Sequence, residues 1–225
     1  MRQVADNVWC VTAGGFPANS YICRTDVPGD AFLVDVGLDP EPIAAALQIL
    51  NCRPAHLFCT HGHFDHIGSA RYFQERYGAE VHLHTADVKI ARTNNFILMV
   101  MKREDRISLP PLSLVEDGAS FRFGDRTLIY RSTPGHTPGS CSLVWGDQLF
   151  TGDTLFTQGV GLSKLPGENP AQLRSTIRSL WGFLDNVIVH PGHGPSAPGM
   201  IVKRDNAALR AFLAEDATVL DNCDV

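Results

Sequence analysis

The stretch THGHFDHIG, residues 60–68, places three imidazoles and one carboxylate within six positions. They are His61, His63, Asp65 and His66. The cluster directly follows the apolar run HLFC, which predicts a buried strand. Protonated histidines repel one another, and burying them costs desolvation free energy. A fold that contains this cluster therefore needs a compensating partner, and a metal cation is the most direct one.

Three later stretches also place a metal-binding side chain just after a predicted strand. STPGHTPGS presents His136, FTGDTLF presents Asp153 and VHPGHGP presents His193, each beside Gly or Pro. Imidazole nitrogen with some carboxylate oxygen, and no cysteine, suits zinc and similar cations, so iron and manganese stay open. Seven donors exceed one tetrahedral site. The donor count therefore predicts two cations, Zn²⁺ in the first instance, with a shared carboxylate.

The apolar patterning predicts strands that cluster at the start of each half of the chain, with helices after them. The strands are VADNVWCVTA, ANSYICRT, AFLVDVG, AHLFCT, AEVHLHT, SFRFG, RTLIYRST, CSLVWG, QLFTGD and NVIVHPG. The helices are DPEPIAAALQIL, SARYFQERYG, DVKIARTNNFILMVMKR, NPAQLRSTIRSLWGFL and KRDNAALRAFLAED. This order predicts an α/β fold with two sheets packed face to face and helices outside, in one domain over residues 1–225.

Composition narrows the partners that we expect. A formal charge of -5, with no basic patch, argues against nucleic acid. No apolar run approaches the ~20 residues of a membrane span, and no secretory leader is evident, so we expect a cytoplasmic protein that does not bind membranes. The six cysteines form no C-x-x-C pair and are expected to be reduced.

In order and spacing, the motifs THGHFDHIG, TPGHTPGS, TGDTLF and PGHG resemble those of the metallo-β-lactamase superfamily, in its glyoxalase II-like branch. The resemblance implies an αββα four-layer sandwich with a two-metal site at one edge. It also implies a first metal on His61, His63 and His136, a second on Asp65, His66 and His193, and Asp153 as the bridge. The activity implied is hydrolysis of a thioester or similar small acyl compound by a metal-bridging hydroxide, which Asp65 would orient.

Two departures from the family pattern concern the substrate. Relatives commonly carry Arg-Thr/Ser-Asp before Leu-Pro-Gly, whereas GVGLSKLPG has Leu162, Ser163 and Lys164. VKRDNA replaces the usual ExRxNP, and we expect no separate C-terminal glutathione-binding domain. We therefore expect Leu162 and Lys164 to contact a small acyl substrate that is not of the glutathione type.

Several alternatives stay open at this stage. A persulfide dioxygenase-like enzyme with a single iron, or a lactonase or β-lactamase-type hydrolase, would carry similar motifs. The apolar run Phe96–Met101 fits a buried helix or a homodimer contact, or else the wall of a substrate entrance. The remaining histidines are expected to be ordinary polar residues, with two of them on the surface of one strand. They are His56, His82, His84 and His190, of which His82 and His84 share that strand.

Overall fold

A computed structural model describes residues 1–163, 165 and 167–215. The first sheet has seven strands in chain order, antiparallel up to the fourth and parallel after it. Its strands are β1 Arg2–Ala5, β2 Val8–Ala13, β3 Ala18–Arg24, β4 Asp30–Val34, β5 Arg53–Phe58, β6 Glu80–His84 and β7 Ser113–Val115. The second sheet has six strands. They are β8 Ser120–Phe123, β9 Arg126–Ser132, β10 Cys141–Trp145, β11 Gln148–Gly152, β12 Ile188–Pro191 and β13 Ala197–Pro198.

The second sheet runs in the order β13-β12-β11-β10-β9-β8, and only its β11–β12 pair is parallel. The helices of the described chain are α1 Glu41–Ile49, α2 Phe64–Ile67, α3 Ala70–Tyr77, α4 Val88–Val100, α5 Pro170–Leu180, α6 Gly199–Asp205 and α7 Ala207–Ala214. Among these helices, none combines the length and apolar character that a membrane crossing requires.

Alternating side chains of the strands supply three separate apolar layers. Phe32 and Phe58 of the first sheet pack against Trp145 and other residues of the second sheet, between the two sheets. Leu33, the neighbour of Phe32, points to the other face, where α1 and α3 cover it. Successive side chains of a strand face opposite sides, so one strand contributes to two layers. Helix α5 covers the outer face of the second sheet in the same way, and the predicted αββα sandwich is confirmed.

Local backbone preferences explain most differences from the predicted elements. The segment predicted as the single strand VADNVWCVTA is two antiparallel strands, because Asn7 adopts a left-handed φ of 61° and turns the chain. The last predicted helix divides at Asn206, whose side chain accepts a hydrogen bond from Leu209 N and so begins α7. The short elements α2, β7 and β13 were not predicted. The end of the last predicted helix, at residue 216, lies outside the described residues.

The predicted surface position of His82 is wrong. This residue lies on the face of β6 that is directed between the sheets, and it is only 2% exposed. Its ring stacks on Phe58 with centroids 4.8 Å apart and tilts against Phe121 at 4.6 Å. Aromatic neighbours on β5 and β8 therefore draw this face of β6 into the core. His190 is buried and bonded to Ser196 and Gln148, as an ordinary polar residue should be.

Candidate metal centre

The predicted ligands all follow strand ends at one edge of the sandwich. The first cluster follows β5, His136 lies between β9 and β10, Asp153 follows β11, and His193 follows β12. Backbone hydrogen bonds tie these loops together across the two sheets. Cys141 N donates to Thr60 O at 2.8 Å, and Gly192 N donates to Gly152 O at 2.8 Å. Loops from both sheets are thus held at a single site.

The seven donors form overlapping groups whose ligand atoms lie within 4.8 Å of one another. These groups are His61, His63 and His136, then His61, His66 and Asp153, and finally Asp65, His66 and His193. Nδ1 of His63 lies 3.0 Å from Nε2 of His136. The structure therefore brings all seven predicted side chains together. Their individual roles as ligands stay a proposal.

Asp153 lies between the groups, with its two oxygens directed to different imidazoles. Its Oδ1 is 3.4 Å from Nε2 of His66, while Oδ2 is 3.7 Å from Nε2 of His136 and 3.5 Å from Nε2 of His193. Asp65 contacts the same nitrogen of His193, with its Oδ2 3.4 Å from Nε2. One carboxylate therefore reaches both halves of the cluster, as a bridging ligand must.

Four of the five imidazoles have an oxygen atom beside Nδ1, which leaves Nε2 directed into the cluster. Nδ1 of His66 meets Asp35 Oδ2 at 2.8 Å, and Nδ1 of His61 meets Thr60 Oγ1 at 3.1 Å. Backbone oxygens serve the other two rings: Gly161 O for His136 and Pro17 O for His193. Such outer contacts fix the tautomer of a ligating histidine and the orientation of its ring.

Several polar atoms of the cluster are buried without a hydrogen-bond partner. They are Nε2 of His61, His63 and His66 and Oδ1 of Asp153. Orphaned polar atoms of this kind are costly in a protein interior. Nitrogen and carboxylate donors that converge without partners are what a zinc-type cation requires, so the residues present fit a metal centre.

The electrostatics of the site also favour cation binding. Burial and the neighbouring imidazoles hold the pKa of His61 well below 6.5, and burial lowers the pKa of His63 to about 4. Burial also opposes protonation of His66, but the carboxylates of Asp153, Asp35 and Asp65 raise its pKa well above the usual value. His61 and His63 therefore offer free lone pairs at neutral pH, and a cation would take the place of the proton on His66.

Glycine permits the closest approach in the centre. A Cβ atom at Gly192 would collide with Asp153 Oδ1 and with Cε1 of His66. A Cβ at Gly152, where φ is +48°, would collide with Thr60. The glycines beside the ligands therefore make room for the crowded side chains.

Two buried aspartates that the sequence analysis missed support the centre. Asp35 follows β4 and accepts hydrogen bonds from Thr60 N and Thr60 Oγ1, each at 2.8 Å, besides its contact with His66. Asp87 accepts from Gly62 N, Thr137 Oγ1 and Gly139 N, and so joins two ligand loops. For Asp35, the one signal in the sequence was its place at the end of a strand, in FLVDVG, and a single Asp there does not by itself predict a contact with a ligand.

A cavity of about 280 Å³ opens onto the metal centre. Asp65, His193 and other centre residues form its floor, and apolar side chains form its wall. The apolar residues are Phe16, Phe64, Met101, Phe156, Leu162 and Leu165. Leu162 lines this cavity, and its contact with a substrate stays a prediction, whereas Lys164 lies outside the described residues.

Helix α4 confirms the helical expectation for Phe96–Val100, but only part of the apolar run Phe96–Met101 is buried. Ile97 and Leu98 are buried, Met101 lines the cavity, and Phe96, Met99 and Val100 are exposed. One helix cannot turn six consecutive side chains towards one core, because they spread around its axis. The homodimer stays a prediction.

Comparisons with known proteins agree with this geometry. The family model described as the metallo-beta-lactamase superfamily matches residues 13–193. The hydroxyacylglutathione hydrolase of Anaeromyxobacter dehalogenans (strain 2CP-C) is 36% identical over 192 residues, which are 83% of this chain and 68% of that protein.

Two solved structures are similar over almost their whole length. TTHA1623 in a di-iron-bound form has a TM-score of 0.80 and 30% identity, covering 89% of this chain and 99% of that one. The BLEG-1 B3 metallo-beta-lactamase has a TM-score of 0.78 and 27% identity, covering 90% and 99%. The match to the family model over most of the chain, together with the shared sandwich, shows that this protein belongs to the metallo-β-lactamase superfamily.

Proposed function

We propose that this protein is a dinuclear metal-dependent hydrolase that cleaves a thioester or a similar small acyl compound. The observation that carries the proposal is the position of Asp153 between His66, His136 and His193, which joins two groups of ligands. His61, His63 and His136 would hold one cation, and Asp65, His66 and His193 the other. Zinc is the first choice for this donor set, and the di-iron-bound relative keeps iron under consideration.

Cations at these ligands would supply Lewis acidity and a water molecule that ionises near neutral pH. The protein's own side chains would then orient the reaction. Asp65 lines the cavity with its carboxylate 14% exposed, so it can accept a hydrogen bond from the attacking water and take its proton. Phe64 and Phe16 pack edge to face beside it, with centroids 5.0 Å apart, and would exclude bulk water from the reacting carbonyl.

The wall of the cavity supports an apolar portion in the substrate. Phe156 and Leu162 face the same space as Phe16 and Met101. Burying one methylene group contributes about 0.8 kcal/mol, or about fourfold in an equilibrium constant. Transition-state binding should therefore rise with the length of the acyl or leaving group until the cavity is filled.

Leu162 also bears on the leaving group. The relative from Anaeromyxobacter dehalogenans is a hydroxyacylglutathione hydrolase, which supports a thioester as the bond that is cleaved. Here an apolar side chain lines the cavity after Asp153, where the family commonly has a charged arginine. An apolar group offers no partner to the carboxylates of glutathione, so we propose a thioester of another type.

The competing activities differ in measurable ways. A persulfide dioxygenase-like enzyme would use a single iron and consume oxygen, and it would leave the group of Asp65, His66 and His193 without a function. A β-lactamase activity is the second alternative, because BLEG-1, a B3 metallo-beta-lactamase, has a similar structure. Metal content and oxygen uptake would distinguish the dioxygenase from the proposed hydrolase, and an assay of β-lactam hydrolysis would distinguish the β-lactamase from it.

The decisive assay compares kcat/KM across thioesters of increasing acyl length, beside S-lactoylglutathione. We expect a rise of about fourfold per methylene over the first members. Leu162→Arg should flatten this dependence, while the apolar Leu162→Met should keep it, because only the first places a charge in the cavity wall. If S-lactoylglutathione exceeds every other thioester by about tenfold, the apolar-substrate proposal fails and a plain glyoxalase II activity remains. If the protein hydrolyses no thioester of the series, the thioesterase proposal itself is refuted.

A further inference from the structure

A second cluster of metal-binding side chains lies away from the ligand loops, on strands β5 and β6. These strands are parallel neighbours, with His56 opposite Glu80 and Phe58 opposite His82. His56 lies two residues before the end of β5, whereas the ligand loop begins after that end. Side chains two positions apart share a face of a strand, so His56, Glu80 and His82 all project from the same side.

The ligand atoms of these three residues are spaced as a cation requires. Nδ1 of His56 lies 3.0 Å from Nε2 of His82, and Oε2 of Glu80 lies 3.8 Å from each of them. The point in their plane that is equidistant from the three atoms lies about 2.1 Å from each, which matches zinc–nitrogen and zinc–carboxylate bond lengths. The spacing of the two nitrogens equals that between His63 and His136 in the main centre.

Neighbouring side chains hold the three ligands in this arrangement. The ring of Phe58 stacks on both imidazoles, at 5.6 Å and 14° for His56 and at 4.8 Å and 20° for His82. Ser113 on β7 donates to Oε1 of Glu80 at 2.5 Å, which leaves Oε2 facing the histidines. Little conformational freedom would be lost on binding, so the site is preorganised.

The cluster is also open to solvent on one side. The side chain of His82 is 2% exposed, that of His56 is 28% exposed and that of Glu80 is 53% exposed. A cation can therefore enter past Glu80, and water can complete its coordination. Burial lowers the pKa of His82 to about 4 and also lowers that of His56, so both imidazoles are neutral at pH 7. Two neutral imidazoles and one carboxylate suit zinc better than the oxygen-seeking calcium or magnesium.

We propose that His56, Glu80 and His82 form a separate zinc-type cation site that links the neighbouring strands β5 and β6. Without a cation, one imidazole donates to the other across the 3.0 Å gap. A cation would replace this hydrogen bond and also bring in Glu80. Because zinc would bind here to the folded protein and not to the unfolded chain, the melting temperature would rise as the concentration of free zinc increases.

The experiment is equilibrium dialysis of the zinc-loaded protein against rising Zn²⁺, with bound metal counted by mass spectrometry. We expect wild-type protein to take up about one zinc ion more than the His56→Ala and Glu80→Gln variants, and to gain melting temperature as it does. Glu80→Gln changes an exposed side chain, so its folding is not in question. His84→Gln is the matched control: it changes a histidine of the same strand and face that lies 3.6 Å from another carboxylate, Glu116, and it should bind as wild type does.

Two results would overturn this proposal. In the first, wild type and Glu80→Gln bind equal zinc over the whole titration. In the second, His84→Gln loses as much zinc as His56→Ala, which would show that adventitious surface histidines account for the uptake. The metal content of the main centre is common to all four proteins, so neither result depends on the proposed hydrolase activity.

Discussion

Replacing Asp35 with asparagine tests whether the contacts of this carboxylate with Thr60 and His66 stabilise the metal centre. Oδ1 of Asp35 accepts from Thr60 N, and Oδ2 accepts from both Thr60 Oγ1 and Nδ1 of His66, all at 2.8 Å. Asparagine has the same shape but only one acceptor atom. If its NH₂ group faces Thr60 N, two donors meet. If it faces His66, the imidazole must move its proton to Nε2, the atom that is directed to the cation.

The size of the effect follows from these contacts. A buried donor left without an acceptor costs about 1–3 kcal/mol, and hydrogen bonds to a charged group are worth about 1.5–3 kcal/mol. Asp35 is 1% exposed, so water offers little compensation. We expect Asp35→Asn to lower the free energy of unfolding by about 3 kcal/mol, or the melting temperature by about 6–12 °C. Zinc affinity of the main centre should fall by about 10–100-fold, as for other outer contacts of metal ligands.

Calorimetry and competition with a chromophoric zinc chelator would measure the two quantities. Asp125→Asn, which removes an exposed carboxylate in the β8–β9 turn, is the matched control and should match wild type. Unchanged zinc affinity in a folded Asp35→Asn protein would contradict this prediction, because it would show that Asp35 does not hold His66 in its binding tautomer.

Three further predictions concern the centre and its surroundings. Gly192→Ala should reduce zinc affinity and turnover by about 100-fold, because its Cβ would displace Asp153. Gly182→Ala is the control, since its Cβ has open space around it, and it should bind zinc as wild type does. Equal zinc binding in both variants would contradict this prediction. Removal of the cations with a chelator should lower the melting temperature, and an unchanged melting temperature after verified metal removal would contradict a structural role for the cations. Asp153→Ala should lose metal and activity together. The free energy of unfolding should fall as the pH drops from about 6.5 to about 4, because His190 is protonated in the unfolded chain while burial lowers its pKa in the folded protein to about 4. Urea titrations at several pH values should show a weaker pH dependence of this free energy in His190→Gln. The same pH dependence in wild type and His190→Gln would contradict this prediction.

Much of the fold could be predicted because periodicity and sheet packing are coupled. Phe32 and Leu33 alternate along β4, and the structure divides them between the inner and outer layers. The strands predicted from CSLVWG and QLFTGD pair as a hairpin, and Gly146 adopts the positive φ of 63° that its tight turn needs. Short edge elements escaped prediction: β13 has two residues, too few to show any alternation.

The candidate site was readable where ligands cluster in the sequence or stand beside Gly and Pro. The supporting residues were not, because Asp35 and Asp87 are single carboxylates whose partners lie 25 to 52 positions away along the chain. The pairing of His56 with His82 depends on the register of β5 against β6, which no local pattern specifies. Burial of His82 likewise depends on Phe58 and Phe121, which belong to other strands.

The dinuclear centre is tested most directly by anomalous diffraction at the zinc absorption edge, from crystals grown with zinc. We expect two strong peaks among the seven donors, one beside His61, His63 and His136 and the other beside Asp65, His66 and His193, with Asp153 in contact with both. A single peak confined to the first group, in a protein with full activity, would contradict the dinuclear centre.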